Sequence, residues 1–253
     1  MADPILKVED LTKSFGGVVA TDQFFFDIHQ GEIHAIIGPN GAGKTTLLAQ
    51  VSGMLKPDSG RILFDGQDIT GLSAAERSHL GLARSFQITS VFRHFSALQN
   101  VALAIQAHQG HSFRFWKPAA KDSSLTEPAM EILSDLGLAD RANILADNLS
   151  HGEKRQLEVA MALATDPKLL LLDEPTAGMG AEDSARIREF LGGLKGRHSM
   201  LLIEHDMDTV FSLADRVTVL VYGRGIATGT PEEVRGNAEV RAAYLGEDDA
   251  AHA

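Results

Sequence analysis

The segment from Gly38 to Thr46 carries the residue types that hold a phosphate. It reads GPNGAGKTT, in which Gly38 and four further residues precede Gly43, Lys44 and Thr45. Glycines let the backbone wrap closely around an anion, Lys44 can neutralise the outer phosphates, and Thr45 can place its hydroxyl on Mg²⁺. A strand-like run precedes the segment and a helix-like run follows it, which disfavours an accidental Gly-rich turn. We predict a phosphate-binding loop formed by Gly38, Pro39, Asn40, Gly41, Ala42, Gly43, Lys44, Thr45 and Thr46.

An acidic pair follows a second apolar run. Asp173 and Glu174 come directly after the run Leu169 to Leu172, so both carboxylates lie where a strand of a doubly wound sheet ends. Alone, such a pair is more often a helix cap or a solvated turn. Beside a phosphate loop it indicates hydrolysis, with Asp173 serving Mg²⁺ and Glu174 orienting and deprotonating the attacking water.

A third motif, LSHGE, spans Leu149 to Glu153 shortly before the acidic pair. It leads into a helical pattern, so Ser150 and Gly152 lie at a helix N-terminus that can receive a phosphate. By itself the motif would be an ordinary helix cap, and its meaning depends on its place among the other motifs.

The surrounding pattern predicts the elements that position these residues. Continuous apolar runs favour strands of a mostly parallel, helix-covered sheet, whereas apolar residues between Thr89 and Thr165 recur at helical spacing. The polar segment 108–126 lacks a clear period, and we expect a surface loop or a short irregular helix pair there. The other expected elements are a helix at Thr45–Met54, strands at Ile33–Ile37, Arg61–Phe64, Leu82–Phe86, Lys168–Leu172, Met200–Ile203 and Val217–Tyr222, and a helix at Ala181–Leu194.

The composition excludes several classes of function. Asp and Glu number 34 against 23 Lys and Arg, giving a formal net charge of −11 that disfavours nucleic acid as a partner. The absence of Cys excludes thiol catalysis, Cys-ligated zinc and disulfides, and suits the cytosol. We expect no membrane-spanning helix and no secretion signal, because no long apolar run occurs and the N-terminus is acidic.

In this order of motifs, LSHGE resembles the signature motif of ABC-type ATPases, and the resemblance covers essentially the whole chain. It implies an α/β fold with a RecA-like P-loop core, a mostly parallel sheet and an N-terminal antiparallel β region. The core would comprise residues 1–87 and 166–253, and residues 88–165 would form an inserted helical subdomain with the signature at its end. ATP and Mg²⁺ are the implied ligands.

The resemblance also assigns roles residue by residue. Ser150 and Gly152 would contact the γ-phosphate of ATP bound by a second cassette, so each site would be shared between two chains. Gln87 in SFQ would sense Mg²⁺ and water, and His205 in LLIEH would contact the γ-phosphate. Phe15 would stack on adenine.

Two departures from the general family pattern stand out. His151 and Glu153 replace the usual Gly and Gln of the signature, and Gly180 replaces an Asp that helps to connect the two cassettes. The first variation is familiar in one branch. LSHGEKRQLEVAMAL, DEPTAGMG, LLIEHDMD and GTPEEVRGNAEVRAAYLGE together look like the G-type ATP-binding subunits of branched-chain amino acid importers.

Such a subunit would have several partners. A second cassette, identical or related, would complete the sites, and membrane permease subunits would dock in the groove near Gln87. A periplasmic or extracellular substrate-binding protein would act indirectly, and the chain would lie on the cytoplasmic face of the inner (plasma) membrane. Alternatives are a urea or amide importer, a lipopolysaccharide exporter, a soluble ABC-type ATPase acting on ribosomes or DNA, and a regulatory module without turnover.

Overall fold

The computed structural model describes residues 3–85, 91–108 and 122–243. Gln87 and most of the segment 108–126 therefore lie outside the described residues. Within these three ranges, no helix is both long and apolar enough to cross a membrane.

The first sheet is antiparallel and forms most of the N-terminal region. Its strands run in the order β2-β1-β4-β5. They span Leu6–Phe15 (β1), Val18–Ile28 (β2), Ser59–Phe64 (β4) and Gln67–Asp68 (β5). Pairs such as Leu6 with Ile28 and Leu6 with Phe64 place fully buried side chains on three neighbouring strands. The expected antiparallel region is thus confirmed, with β4 beginning two residues before Arg61.

The second sheet is parallel except at one edge. Its order is β10-β9-β3-β8-β7-β6, and only β9 and β10 pair antiparallel. Its strands span Ile33–Ile37 (β3), Leu82–Arg84 (β6), Leu169–Asp173 (β7), Ser199–Ile203 (β8), Arg216–Val221 (β9) and Arg224–Gly229 (β10). All residues of β3, β7 and β8 are buried, as expected for strands covered on both faces.

Eight α-helices accompany the sheets in the part of the chain that the structure describes. They span Lys44–Val51 (α1), Ala74–His79 (α2), Ala97–His108 (α3), Ser123–Asp135 (α4), His151–Leu163 (α5), Ala181–Leu194 (α6), Met207–Leu213 (α7) and Pro231–Gly236 (α8). Helices α3 to α5 confirm the helical character of the middle of the chain. Successive side chains of β3 alternate between two apolar clusters, with Ile37 in one and Ile36 in the other.

Two helix boundaries differ from the expectation by more than two residues. Helix α1 ends at Val51 and not at Met54, because Gly53 takes a left-handed conformation with φ 78° that terminates the helix. Helix α4 begins at Ser123, inside the segment expected to be irregular, because Asp122 accepts a hydrogen bond from the Ser124 N–H and caps it.

A buried arginine holds the far end of α1. Arg77 on α2 is only 1% exposed, and its Nη1 donates to the carbonyls of Gln50 and Val51 at 2.8 and 2.7 Å. It also donates to the carbonyls of Leu72 and Thr70. Burial lowers the pKa of Arg77 to about 10. The carbonyls at the end of α1, which no helical partner would satisfy, are thereby paired with a cation.

Candidate nucleotide site

The phosphate loop joins β3 to α1, and two of its glycines are required by backbone packing. A Cβ on Gly38 would lie 2.0 Å from the Leu220 carbonyl oxygen, and one on Gly43 would lie 2.0 Å from that of Ala20. Both residues also have positive φ, as does Gly41. No other residue type fits at Gly38 or Gly43 without moving the neighbouring strands.

The Lys44 side chain lies over the loop that precedes it. Lys44 is buried, and its Nζ donates to the carbonyls of Gly38 at 2.6 Å and Pro39 at 2.9 Å. The first turn of α1 contains no acidic residue and no side-chain cap. An unblocked helix N-terminus beside an ammonium group is suited to bind an anion.

The two predicted acidic residues differ in their surroundings. Asp173 ends β7 with a side chain 2% exposed, and Arg84 Nη2 lies 3.2 Å from its Oδ2. Burial raises the pKa of Asp173, and neighbouring Glu174 adds to that rise, while Arg84 opposes it. The Glu174 side chain is 37% exposed, so it is available to solvent and to a ligand.

Glu174 is held in an unusual backbone conformation. Its φ is 48°, in the left-handed region that non-glycine residues rarely adopt and that costs about 1 kcal/mol or more. The Glu174 N–H donates to the Ile203 carbonyl at 2.8 Å, which ties this turn to the end of β8. Such strain persists only where surrounding contacts determine it.

His205 lies beside Glu174, as the order of parallel strands requires. Strands β7 and β8 pair with Asp173 opposite Ile203, so the residues that follow them emerge at the same edge. His205 Nδ1 lies 3.6 Å from Glu174 Oε1. Buried Glu204 links the two turns, because it accepts hydrogen bonds from the N–H and hydroxyl of Thr176 and from the His205 N–H.

The phosphate loop leaves the same edge of the sheet. Strand β3 pairs in parallel with β8, and β8 pairs in parallel with β7. The residues following these three strands, which include Gly38, His205 and Glu174, therefore line one edge. This is the position at which open α/β sheets bind ligands.

The LSHGE motif forms the start of α5. The Ser150 side chain accepts a hydrogen bond from the Glu153 N–H and the Glu153 carboxylate accepts one from the Ser150 N–H, which completes a capping box. Burial would raise the pKa of Glu153, but hydrogen bonds from Ser150 and Arg141 lower it overall. A hollow of about 480 Å³ lies beside Ser150, and its lining includes Asp183 but no phosphate-loop residue among those described.

The remaining predicted residues are less constrained. Phe15 ends β1 and is 50% exposed, with Lys13 Nζ 5.7 Å from its ring centre. Gly180 precedes α6 without a side-chain cap, and a Cβ there would meet nothing within 4 Å. Gln87 lies outside the described residues.

Charged residues that the sequence reasoning missed support the acidic pair. Arg84 contacts Asp173, and Arg155 on α5 donates to the carbonyls of Asp173 and Glu174. For Arg84 the signal is a charge in the otherwise apolar strand β6, because such residues are buried only when they are paired, whereas Arg155 follows two other charged residues in α5 and carries no such signal.

Comparison with known proteins assigns the family. Residues 21–177 match the family described as ABC transporter, which is more than half of the chain. The chain belongs to the ATP-binding cassettes of ABC transporters. ATP is therefore its nucleotide, and ATPase is its activity, as expected from the motifs. Residues 226–250 also match a family described as branched-chain amino acid ATP-binding cassette transporter.

Individual cassettes of this family match along nearly the whole chain. The branched-chain amino acid transport ATP-binding protein LivG of Escherichia coli is 36% identical over 98% of this chain and all of its own length. BraF of Pseudomonas aeruginosa, which has the same description, is 37% identical over 98% of this chain and all of its own length.

Solved cassettes share the fold. A crystal structure of an ABC-transporter cassette in its ADP conformation superposes with a TM-score of 0.83 and 32% identity, covering 97% of this chain and all of that chain. The cbiO1 protein of Clostridium perfringens gives a TM-score of 0.78 at 30% identity, covering 97% of this chain and all of that one. The expected cassette fold is confirmed.

Proposed function

We propose that the chain is the ATP-hydrolysing subunit of an importer for branched-chain or other hydrophobic amino acids. ATP hydrolysis is supported by the approach of His205 to Glu174, at the edge of the sheet where the phosphate loop also lies. The cargo is supported by the match of residues 226–250 and by the names of the LivG and BraF relatives. These names do not favour a urea importer, a lipopolysaccharide exporter or a soluble ATPase.

The loop from Gly38 to Thr46 binds the phosphates of ATP, with Lys44 neutralising the outer ones. Glu174 accepts a proton from water as the water oxygen attacks the γ-phosphorus, and ADP leaves. His205 contacts the γ-phosphate and keeps Glu174 directed toward it. Phe15 stacks on adenine, for which its exposed ring is suited.

The donor set fits Mg²⁺. Mg²⁺ binds through one or two protein oxygens together with substrate phosphates. The Asp173 carboxylate and the Thr45 hydroxyl are such oxygens, with Gln87 as a third donor. When bound, Mg²⁺ neutralises charge on the phosphates.

Two cassettes form a head-to-tail pair in which each ATP is shared. Ser150 and Gly152 of one chain contact the γ-phosphate held by the loop of the other. The hollow of about 480 Å³ beside Ser150 leaves room for a phosphate at this helix N-terminus. Closing and reopening of the pair is the movement delivered to the permease.

The groove between the core and the helical segment receives a helix of a permease subunit. It encloses about 330 Å³ and is lined mainly by apolar side chains, including Leu82, Ala83, Ala104 and Met161. The apolar end of a permease helix fits such a lining. Membership of the ABC-transporter family supports a permease as the partner that docks there. In this arrangement the chain is peripheral on the cytoplasmic membrane face, and residues 88–165 form its helical subdomain. A substrate-binding protein acts on the other side of the permease.

The Glu174→Gln variant tests this function. The amide cannot accept the proton from water, while the phosphate contacts stay intact, so turnover should fall by about 100-fold or more with ATP binding retained. The variant should elute as a dimer with ATP and as a monomer with ADP. A monomer at saturating ATP would contradict the shared site, and undiminished turnover would contradict the role of Glu174.

A further inference from the structure

A buried ion pair lies on α5, one turn beyond the signature. Arg155 is 9% exposed and Glu158 is 6% exposed, and Arg155 Nη1 donates to Glu158 Oε2 at 2.8 Å. Burial raises the pKa of Glu158, although Arg155 opposes the rise. A buried pair contributes little net stability compared with apolar side chains of similar volume, so stability alone does not account for its presence.

The other arm of the same guanidinium reaches the acidic pair. Arg155 Nη2 donates to the carbonyl oxygens of Asp173 and Glu174, the second at 3.0 Å. One carbonyl belongs to the peptide before Glu174 and the other to the peptide after it. A single rigid group therefore holds both peptide planes that define the backbone conformation of Glu174.

That conformation needs support. Glu174 has a φ of 48°, and a side chain attached to such a backbone points differently from one on a right-handed or extended backbone. If the backbone relaxed, the carboxylate would turn away from His205 and from the phosphate loop. The guanidinium opposes this relaxation, because relaxing would break two hydrogen bonds in a buried place.

We propose that Arg155, oriented by Glu158, is a positioning residue for the hydrolytic carboxylate of Glu174. This inference rests on the proposed function, since it assigns Arg155 a part in the reaction at that site. The effect of Arg155 reaches the reaction through the peptide planes on either side of Glu174.

Steady-state ATPase kinetics, measured together with calorimetry of ATP binding, distinguish a positioning role of Arg155 from a general structural role. Arg155→Met keeps the length of the side chain and removes its donors, so kcat should fall by about tenfold or more while KM and the Kd for ATP stay within about twofold. Arg155→Lys keeps one donor and should recover part of kcat. Glu158→Gln keeps an acceptor for Arg155 and should lower kcat less than Arg155→Met does.

Arg197→Met is the matched control. Arg197 is exposed and donates to the Gly193 carbonyl, away from the acidic pair, so its removal should leave kcat unchanged. A second readout is the effect of Arg155→Met in a chain that already carries Glu174→Gln. There Arg155→Met should leave the ATP-dependent dimer and the residual hydrolysis unaltered, because the group that it positions is already disabled.

Three outcomes would overturn the proposal. They are an unchanged kcat in Arg155→Met, a loss of ATP affinity as large as the loss of kcat, and an additive loss in the Glu174→Gln background. If Arg155→Met does not fold, the same comparison is made with Arg155→Lys and Glu158→Gln, for which kcat should fall while KM stays nearly unchanged. Absence of ATPase activity in the unaltered protein would instead refute the proposed function.

Discussion

His205 Nδ1 lies 3.6 Å from Glu174 Oε1, although the two residues follow different strands of the parallel sheet. The register of β7 against β8 creates this approach, since Asp173 pairs with Ile203. The same sheet places the phosphate loop after β3, the neighbour of β8 on its other side. The approach of these two side chains is therefore a consequence of strand order and does not depend on a flexible loop.

Lys44→Ala should weaken ATP binding. The substitution removes a charge-assisted contact to the outer phosphates that backbone N–H groups cannot replace, so the Kd should rise by about 10- to 100-fold. Isothermal calorimetry measures the Kd, and Lys56→Ala, which removes an exposed lysine between α1 and β4, is the control. An unchanged Kd would refute the proposed contact between Lys44 and phosphate.

Arg77→Met should destabilise the fold, although Arg77 is not one of the residues assigned to nucleotide binding. The substitution removes the donors that the buried guanidinium supplies to the carbonyls of Gln50 and Val51 at the end of α1, so the free energy of unfolding should drop by about 3 kcal/mol. Urea denaturation measures the drop. Arg61→Met, which removes a largely exposed partner of Glu9, should cost less than about 1 kcal/mol, and equal costs would contradict the capping role.

Ala104→Glu should prevent docking to the permease while leaving solution ATPase activity intact. Ala104 lines the groove together with Glu158, and a second carboxylate there would add bulk and a negative charge that a docked helix would have to bury. Ala107→Glu is the control on the same helix, because Ala107 is exposed and does not line the groove. Co-purification with the membrane subunits should be lost only for Ala104→Glu, and retention by both variants would contradict the proposed docking site.

The sequence predicted much of this arrangement because two kinds of signal are local. Continuous apolar runs identified β3, β7 and β8, and the spacing of Gly38, Gly43 and Lys44 identified the loop between β3 and α1. The end of α1 was misplaced, since apolar spacing continues to Met54 while the conformation of Gly53 stops the helix.

The supporting charges could not be predicted in the same way. Arg84 meets Asp173, and Arg155 meets the backbone of Glu174, only after distant segments pack together. The charge of Arg84 in an apolar strand signals that a partner exists, but the sequence does not say which carboxylate it is. The role of Gln87, which is not among the described residues, stays a prediction.

The central claim is that each ATP is hydrolysed between two chains, and mixing two inactive variants tests it most directly. Ser150→Arg should bind ATP through its own loop yet fail to hydrolyse it, and Lys44→Ala should bind ATP too weakly to hydrolyse it at the concentration used. In a mixed pair, the loop of the Ser150→Arg chain faces the intact signature of the Lys44→Ala chain, so one site is whole.

ATPase activity should return on mixing, while each variant alone stays inactive. Crosslinking must show that mixed pairs have formed, and the ATP affinity of monomeric Ser150→Arg must equal that of the unaltered chain. Mixed pairs without any regained activity, together with weakened ATP binding by monomeric Ser150→Arg, would show that the signature acts within its own chain and would contradict the shared site.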